Sequence, residues 1–406
     1  MNDEFLSRMR LMNQKLPLDS IRNKRILIVG CGAVGVSALP ILINVGFSFL
    51  YLIDIDKFEK SNFAKTSMVL DFPEDFGKPK AESTALHGQN AMIDGGICIG
   101  KTLNVFDVGP IFIRQFDYVI SALDNYNARV YLNRICIEAD VPIFEGGTSG
   151  LYAVERTYNH KGGCFLCLKE TPPRHNSTVG CGMQYSFDVS EGEIPSCQIS
   201  STIAAGMIVN DLVRASCDYK MKFNHVHYFD GDNFSFMDHP IFQEPNCPCC
   251  NQTSKIKDSI YMLDGDVAHT TVREFLEKVE KILDEPCFAY LPESFICDDI
   301  CPECGKKRII NKPEHRVNRN DIYCKEHFSS SKPTEHIPNE LKSISMSICD
   351  TYLDLSMLEL GLPYGGVLTV FGEEKHIKVS MKNDMEQLFS KEQIRNDVLT
   401  QYSTNR

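Results

Sequence analysis

The apolar positions of this chain fall into short unbroken runs separated by polar stretches. Ile26-Leu27-Ile28-Val29 and Phe49-Leu50-Tyr51-Leu52-Ile53 are continuous rather than alternating, the pattern of strands covered on both faces. A helical spacing over 36–45 links them into a β-α-β unit. Val119-Ile120-Ser121-Ala122 and Val141-Pro142-Ile143-Phe144 read as further buried strands, with a helix over 127–139 between them. A helix over 204–214 and a strand over 225–229 come next. Strands alternating with helices predict an α/β fold: a mostly parallel, doubly wound sheet with helices on both faces.

Residues 5–20 form a short amphipathic segment in which Phe5, Leu6, Met9, Leu11 and Met12 flank Arg8 and Arg10. From about Asp258 the character changes. Thr271 and Glu274 have capping-box spacing ahead of a helical pattern of Phe275, Leu276, Val279, Ile282 and Leu283. A cysteine-rich segment occupies 297–327, and Ser329-Ser330-Ser331-Lys332-Pro333 reads as a linker. Residues 340–380 mix a helical stretch with strand-like runs, and a polar tail after Asp384 is expected to fray. The expected divisions are 1–255, a helix with a zinc-bearing module at 256–330, a small α/β segment at 331–383, and the tail at 384–406. No internal repeat is visible.

The turn after the first strand, Gly30-Cys31-Gly32-Ala33-Val34-Gly35, has the G-x-G-x-x-G spacing of nucleotide-binding folds. Gly30 permits a tight turn, Gly32 lets backbone N–H groups approach a phosphate, and Gly35 lets helix pack on strand. The helix N-terminus then offers free donors to an anion.

Composition narrows the setting. The 406 residues give room for two or three domains. The net charge of −12 argues against broad binding of nucleic acid or anionic membranes. There is no charged start followed by an apolar core, and no apolar run near the ~20 residues of a membrane span. A cytoplasmic chain is expected. In that setting the 17 cysteines, several in C-x-x-C pairs, read as metal ligands rather than disulfides.

Asp54, at the end of the second strand, is placed to hold a ribose hydroxyl. The segments beyond it, Asp54-Ile55-Asp56-Lys57 through Ser61-Asn62-Phe63-Ala64-Lys65 and then Gly77-Lys78-Pro79-Lys80-Ala81-Glu82, are rich in lysine. A dehydrogenase needs no such cations, whereas a triphosphate does.

In this order the glycine turn, Asp54-x-Asp56, Ser61-Asn62, Gly77–Glu82 and Ala122-Leu123-Asp124-Asn125 resemble the ubiquitin-activating and MoeB/ThiF-type adenylating enzymes, over roughly residues 5–255. The resemblance implies a Rossmann-like adenylation domain that binds ATP and Mg²⁺. It implies adenylation of the C-terminal carboxylate of a ubiquitin-like or sulfur-carrier protein. On it, Asp54 holds the ribose, Asn62 and Lys80 contact phosphates, and Asp124 acts through Mg²⁺. Lys65 stands where the family has an arginine, keeping the charge but losing the bidentate fork. Ser7-Arg8-Met9 resembles the segment whose arginine reaches a partner subunit's ATP, so Arg8 is the expected catalytic arginine, with Arg10 as alternate.

Cys164-x-x-Cys167 and Cys247-x-x-Cys250 can each clasp one side of a tetrahedral zinc ion, leaving Cys249 to swap with a neighbour. The family carries such a structural site in corresponding places. Cys301-Pro302-Glu303-Cys304-Gly305 reads as a zinc knuckle. Its expected partners are Cys324 and His327, with Cys297 or His315 as alternates.

Pro195-Ser196-Cys197-Gln198 resembles the segment bearing the family's thioester cysteine. A thiol just before a helix, expected from about Thr202 with Ser200 or Ser201 as cap, has its thiolate favoured. The polar stretch before it, part of a crossover loop over about 168–200, contains Arg174 and His175 and the competing nucleophile Cys181. The reading is a compact activating enzyme for a ubiquitin-like protein, passing a Cys197 thioester to a conjugating enzyme. One chain carries both the nucleotide residues and the cysteine, which points to a homodimer. Compact single-chain forms resemble those of bacterial conjugation systems linked to defence, and small eukaryotic ones. The alternatives are a sulfur-carrier adenylyltransferase without a thioester step and an inactive scaffold half of a heterodimer.

Overall fold

Strand β1 (Arg25–Val29) is the axis of the larger sheet. Ile26, Leu27, Ile28 and Val29 are all buried, which an unbroken apolar run requires when both faces are covered. It pairs in parallel with β2 (Phe49–Asp54) on one side and β4 (Tyr118–Ser121) on the other, so Val29 lies between Ile53 and Ser121. Between β1 and β2 runs α1 (Ala33–Val45), which begins three residues before the periodicity places it because Gly32 already serves as N-cap. It ends at Gly46 in the left-handed conformation, φ +104, whose N–H bonds back to Leu42 and Ile43.

The computed structural model describes residues 11, 17–62, 73–93, 95–168, 196–217, 219, 221–251, 256, 259–317, 321 and 337–400. The chain divides into two units, Met1–Val105 with Ile113–Ile256, and Phe106–Phe112 with Lys257–Arg406. In the first, β3 (Ile97–Thr102), β5 (Ile143–Ser149), β6 (Tyr152–Tyr158), β7 (His225–Asp230) and β8 (Ser235–Pro240) complete an eight-stranded sheet. Its order is β3-β2-β1-β4-β5-β6-β7-β8. The five strands from β3 to β5 are parallel, as expected, while β6, β7 and β8 add an antiparallel edge that the sequence pattern does not reveal. Helices α2 (Lys80–Ala91), α3 (Tyr126–Ala139) and α4 (Gln198–Ser216) complete this unit's main elements. A core of Ile28, Leu39, Leu42, Leu52, Ile120, Ala204, Ile208 and Leu212 joins α1 and α4 to the sheet. Of the amphipathic start, Leu11 is exposed, while Phe5, Leu6, Met9 and Met12 lie outside the described residues. Among the described residues no helix is long and apolar enough to cross a membrane.

In the second unit, β9 (Ile260–Leu263), β10 (Phe288–Ile300), β11 (Lys307–Pro313), β13 (Leu368–Phe371) and β14 (His376–Met381) form a sheet of order β11-β10-β13-β14-β9. β12 (Ile337–Ser345) pairs with β10. The stretches that read as separate segments on either side of residue 330 share this sheet, because β14 pairs with β9. Helix α5 (Val272–Leu283) opens on the expected capping box. The Glu274 N–H donates to Thr271 Oγ1 at 3.2 Å and the Glu274 carboxylate accepts from the Thr271 N–H at 3.1 Å. The helix buries Phe275, Leu276, Val279 and Leu283. Residues 384–400, polar in composition, form two short α-helices with a 3-10 turn between them, and Met385 and Leu388 are buried. Buried Asp384 accepts N–H groups from Val267 and Gly365, and burial pushes its carboxyl up to about 7.

The larger sheet encloses a buried ionic triad. Glu145 Oε1 on β5 accepts from Arg129 on α3 at 2.8 Å and Arg156 on β6 at 2.7 Å. A carboxylate shared by two buried guanidiniums is costly to remove. Glu145→Ala is expected to lower stability by about 3–5 kcal/mol, read from chemical denaturation midpoints. A loss below about 1 kcal/mol would show the triad to be dispensable.

Candidate active site

The glycine turn is built as its spacing requires. Gly30 has φ +96, and a Cβ there would lie 2.6 Å from the Ala122 carbonyl oxygen. A Cβ on Gly35 would lie 2.0 Å from the Gly30 oxygen, so α1 meets the turn without room for a side chain. Gly32 differs: a Cβ there would meet nothing within 4 Å, and as N-cap it places no side chain over the helix end. Among the described residues no atom fills the space a Gly32 side chain would take at the positive end of α1.

Asp54 closes this turn against β2. Its Oδ2 accepts the Cys31 N–H at 2.6 Å and its Oδ1 the Asp56 N–H at 2.7 Å. Burial holds its carboxyl above the ordinary range, against those two N–H groups and Lys80, which pull it down. The chain from Asp56 to Phe58 then pairs with 77–80, through Phe58 N–H to Lys78 O, Gly77 N–H to Phe58 O and Lys80 N–H to Asp56 O. This pairing carries Lys80, first residue of α2, back to the end of β2. There its Nζ meets Asp56 Oδ2 at 2.9 Å. Burial lowers the affinity of this amine for a proton, but the hydrogen bond to Asp56 and the charges of Asp54 and Asp124 outweigh it, so Lys80 stays charged above its ordinary range.

Asp124 thus acts electrostatically on the same lysine from the other side of β1. It is exposed, in the loop after β4, immediately before the N-cap Asn125, whose Oδ1 accepts the Ala128 N–H at 3.1 Å. Asn62 is buried in a turn where its Oδ1 accepts the Glu59 N–H at 2.9 Å. Asp75, which no motif in the sequence marks, anchors the Gly77–Glu82 stretch. Fully buried, it accepts from Ser83 Oγ at 2.6 Å and pairs with His87 at 2.9 Å and Lys78 at 3.3 Å. Its one signal in the sequence is its spacing, eight residues before Ser83 and twelve before His87, which only the turn into α2 converts into contact. Arg8, Arg10 and Lys65 lie outside the described residues.

Cys197 is the N-cap of α4, which begins at Gln198 rather than near Thr202. Ser200 and Ser201 therefore do not cap it; they sit inside its first turn, and their hydroxyls donate back to the Cys197 carbonyl at 3.2 and 2.9 Å. The Cys197 sulfur lies 3.6 Å from the Gly150 carbonyl, just past β5, and 3.5 Å from Ser200 Oγ. Its slight burial raises the thiol pKa, but the Ser200 N–H and hydroxyl and the Ile199 N–H outweigh that and hold it below the ordinary value. The Gln198 amide reaches Ser37 Oγ at 3.5 Å, so the start of α4 lies against the second turn of α1. By contrast, burial pushes Cys31 and Cys136 far up and Cys98 to about 12. Arg174, His175 and Cys181 lie outside the described residues.

The first cysteine set comes together. Cys164 and Cys167 sulfurs lie 3.9 Å apart, with 3.6 Å from Cys164 to Cys247 and from Cys167 to Cys250. A zinc ion at thiolate bond lengths spaces its sulfurs about 3.8 Å apart, so the donor set is compatible with zinc. Cys249 lies beside this set: it hydrogen-bonds Cys164, and its sulfur accepts from Asn133 Nδ2 at 3.1 Å. Of the second set, Cys301 and Cys304 flank the β10–β11 turn, where the Gly305 N–H bonds to Cys301 O at 2.8 Å, while Cys324 and His327 lie outside the described residues. His315 is clamped between Glu293 and Asp107, and Cys297 is buried in the core of the second unit.

A family model described as the ThiF family matches residues 7–250. SUMO-activating enzyme subunit 2 of Dictyostelium discoideum is 32% identical over 157 residues, covering 38% of this chain and 24% of that protein. Adenylyltransferase and sulfurtransferase MOCS3 of Drosophila persimilis is 28% identical over 244 residues, covering 59% of this chain and 51% of that protein. The chain thus spans about half or less of the length of these relatives. The structure of E. coli MccB with ATP superposes with a TM-score of 0.50 at 20% identity, covering 62% of this chain and 75% of that one, a likeness of fold.

Alkylation of Cys197 followed by peptide mass spectrometry is expected to rise with pH about a midpoint below the ordinary thiol value of 9.0. Ser200→Ala, which removes a donor to the thiolate, moves that midpoint upward. A midpoint at or above the ordinary value would contradict an activated thiol.

Proposed function

The chain belongs to the ThiF family, and from that premise we propose that it is an ATP-dependent adenylating enzyme for a ubiquitin-like or sulfur-carrier protein. The observation that carries the reading is Lys80, held charged among Asp54, Asp56 and Asp124 at the carboxyl edge of the parallel strands. Attack of a carboxylate on the α-phosphate of ATP brings anions together and needs fixed positive charge there. Lys80 and the N–H groups opening α1 supply it. The Asp54 carboxylate, fixed by Cys31 and Asp56, orients the ribose, and Asn62 adds a polar contact to the phosphates. Asp124, exposed at the strand edge, is a single carboxylate of the kind that holds Mg²⁺ jointly with phosphate oxygens. Such an ion, when bound, offsets charge on the phosphates. Arg8 and Lys65 are assigned by resemblance to the same phosphate group. In this step the carrier's carboxylate oxygen bonds to the α-phosphorus, the bond to the β-phosphate bridge breaks, and pyrophosphate leaves.

A thioester step comes second on this reading. The Cys197 thiolate attacks the acyl carbon, the bond to the AMP oxygen breaks, and AMP leaves. The support is local: a partly exposed thiol at a helix N-terminus, with its pKa lowered, on a helix whose start lies against α1. The acyl group would then pass to the thiol of a conjugating enzyme, as in bacterial defence conjugation systems. Because one chain bears both Lys80 and Cys197, a homodimer suffices. The four-cysteine set would hold zinc as a staple between the loop after β6 and the loop after β8.

Incubation with ATP, candidate carriers and labelled pyrophosphate, followed by intact mass without reductant, tests both steps. Wild type is expected to exchange pyrophosphate and to form a reductant-sensitive adduct. Lys80→Met should lose exchange by at least about 100-fold. Cys197→Ala should keep exchange and lose the adduct. Failure of wild type to exchange with any carrier would overturn adenylation in favour of an inactive scaffold. Exchange with no adduct, or an adduct persisting in Cys197→Ala, would overturn the thioester assignment, the former returning the chain to the sulfur-carrier type.

A further inference from the structure

The antiparallel edge of the larger sheet carries a second set of metal-binding side chains, distant in sequence from the cysteines. In the register of β6, β7 and β8, Glu155 lies opposite His227 and His227 opposite Asp238. Residues directly opposite in antiparallel strands share a face, so the three side chains form one row. His225, two residues before His227, shares that face as well. His225 Nδ1 lies 2.5 Å and His227 Nε2 3.4 Å from the same oxygen, Asp238 Oδ1. The donor atoms of these three residues all lie within 4.8 Å of one another. All three reach solvent, with side-chain exposures of 17%, 23% and 42%.

Behind them sits a buried acidic layer. His227 Nδ1 faces Glu155 Oε2 at 3.4 Å and Asp211 Oδ2, from α4, at 3.8 Å. Glu155 and Asp211 are 1% and 2% exposed, and among the described residues Glu155 Oε1 and Asp211 Oδ2 make no hydrogen bond. Arg214 neutralises the other Asp211 oxygen at 2.8 Å and Lys222 the other Asp238 oxygen at 3.2 Å. Three carboxylates thus face two fixed cations.

We propose that His225, His227 and Asp238 bind a divalent transition-metal ion, with Glu155 as a positioning residue for His227. Two imidazoles and a carboxylate on an open face are a donor set for such ions, and the remaining coordination positions fall to water. A buried carboxylate accepting Nδ1–H fixes the tautomer that presents Nε2 as ligand, the arrangement that accompanies metal-bound histidine. The ion also offsets the excess negative charge of the Glu155–Asp211–Asp238 cluster. The competing account is a histidine pair that neutralises these carboxylates by protonation and binds no metal.

Full-length protein, stripped with chelator and reloaded with Co²⁺, separates the two accounts by metal analysis and absorption. Cobalt on thiolates shows sulfur-to-metal charge transfer, whereas cobalt on nitrogen and oxygen adds metal and d–d absorption alone. Wild type is expected to bind a further equivalent beyond its thiolate-bound cobalt. His225→Ala and Asp238→Asn should lose that equivalent while retaining the charge-transfer band, which also reports that the variants are folded. Glu155→Gln should retain the site with affinity weakened about 10–100-fold. Absence of the further equivalent from wild type, or its persistence in both ligand variants, overturns the proposal.

Discussion

The structure of the candidate site rests on one steric constraint: the closeness of the Gly30–Gly35 turn to its own backbone and to the end of β4. A side chain on Gly30 would enter the Ala122 carbonyl, and one on Gly35 would enter the Gly30 oxygen. Because both are absent, β1 passes directly into α1 and the first N–H groups of that helix open at the carboxyl edge of the sheet. Gly32 puts no side chain over that end, and among the described residues nothing fills the space one would take. Asp54 completes the constraint by taking the Cys31 N–H, joining the turn to the neighbouring strand.

Electrostatics is then a product of geometry. Lys80 is brought to the turn by backbone pairing between 56–58 and 77–80, and Asp75 beneath that pairing fixes the start of α2. Partial burial alone would favour a neutral amine; three carboxylates around it decide otherwise. The same logic operates at Cys197, where hydrogen-bond donors of one helix turn prevail over slight burial. Gln198 reaches Ser37, so the start of α4, which bears the thiol, lies against α1, the helix that opens from the glycine turn. A phosphate and a thiolate are both anions, and both are favoured by that end of a helix.

Much of this is legible in the chain because it is local. Glycine spacing reports a turn that excludes side chains within a few residues, and C-x-x-C reports a chelate closed by a single turn. A continuous apolar run reports a strand covered on both faces. These signals locate the parallel half of the sheet, the glycine turn, the four-cysteine set and the α5 capping box. Boundaries are less legible: α4 starts at Gln198 because the chain caps it with Cys197, so two serines that resemble caps lie inside the helix.

The sequence by itself determined where the chain turns, which strands are buried on both faces and which residues have the chemistry for phosphate, thiol and metal. Tertiary structure alone decided which of those residues meet. Asp75 reaches Ser83 and His87 only through a turn into α2, and His315 meets Glu293 and Asp107, which lie far from it in sequence. The row Glu155–His227–Asp238 exists because three antiparallel strands settle in one register, and a shift of one residue would send His227 to the opposite face. Register is set by the whole buried face of a sheet rather than by any short segment, so no local pattern of residues records it.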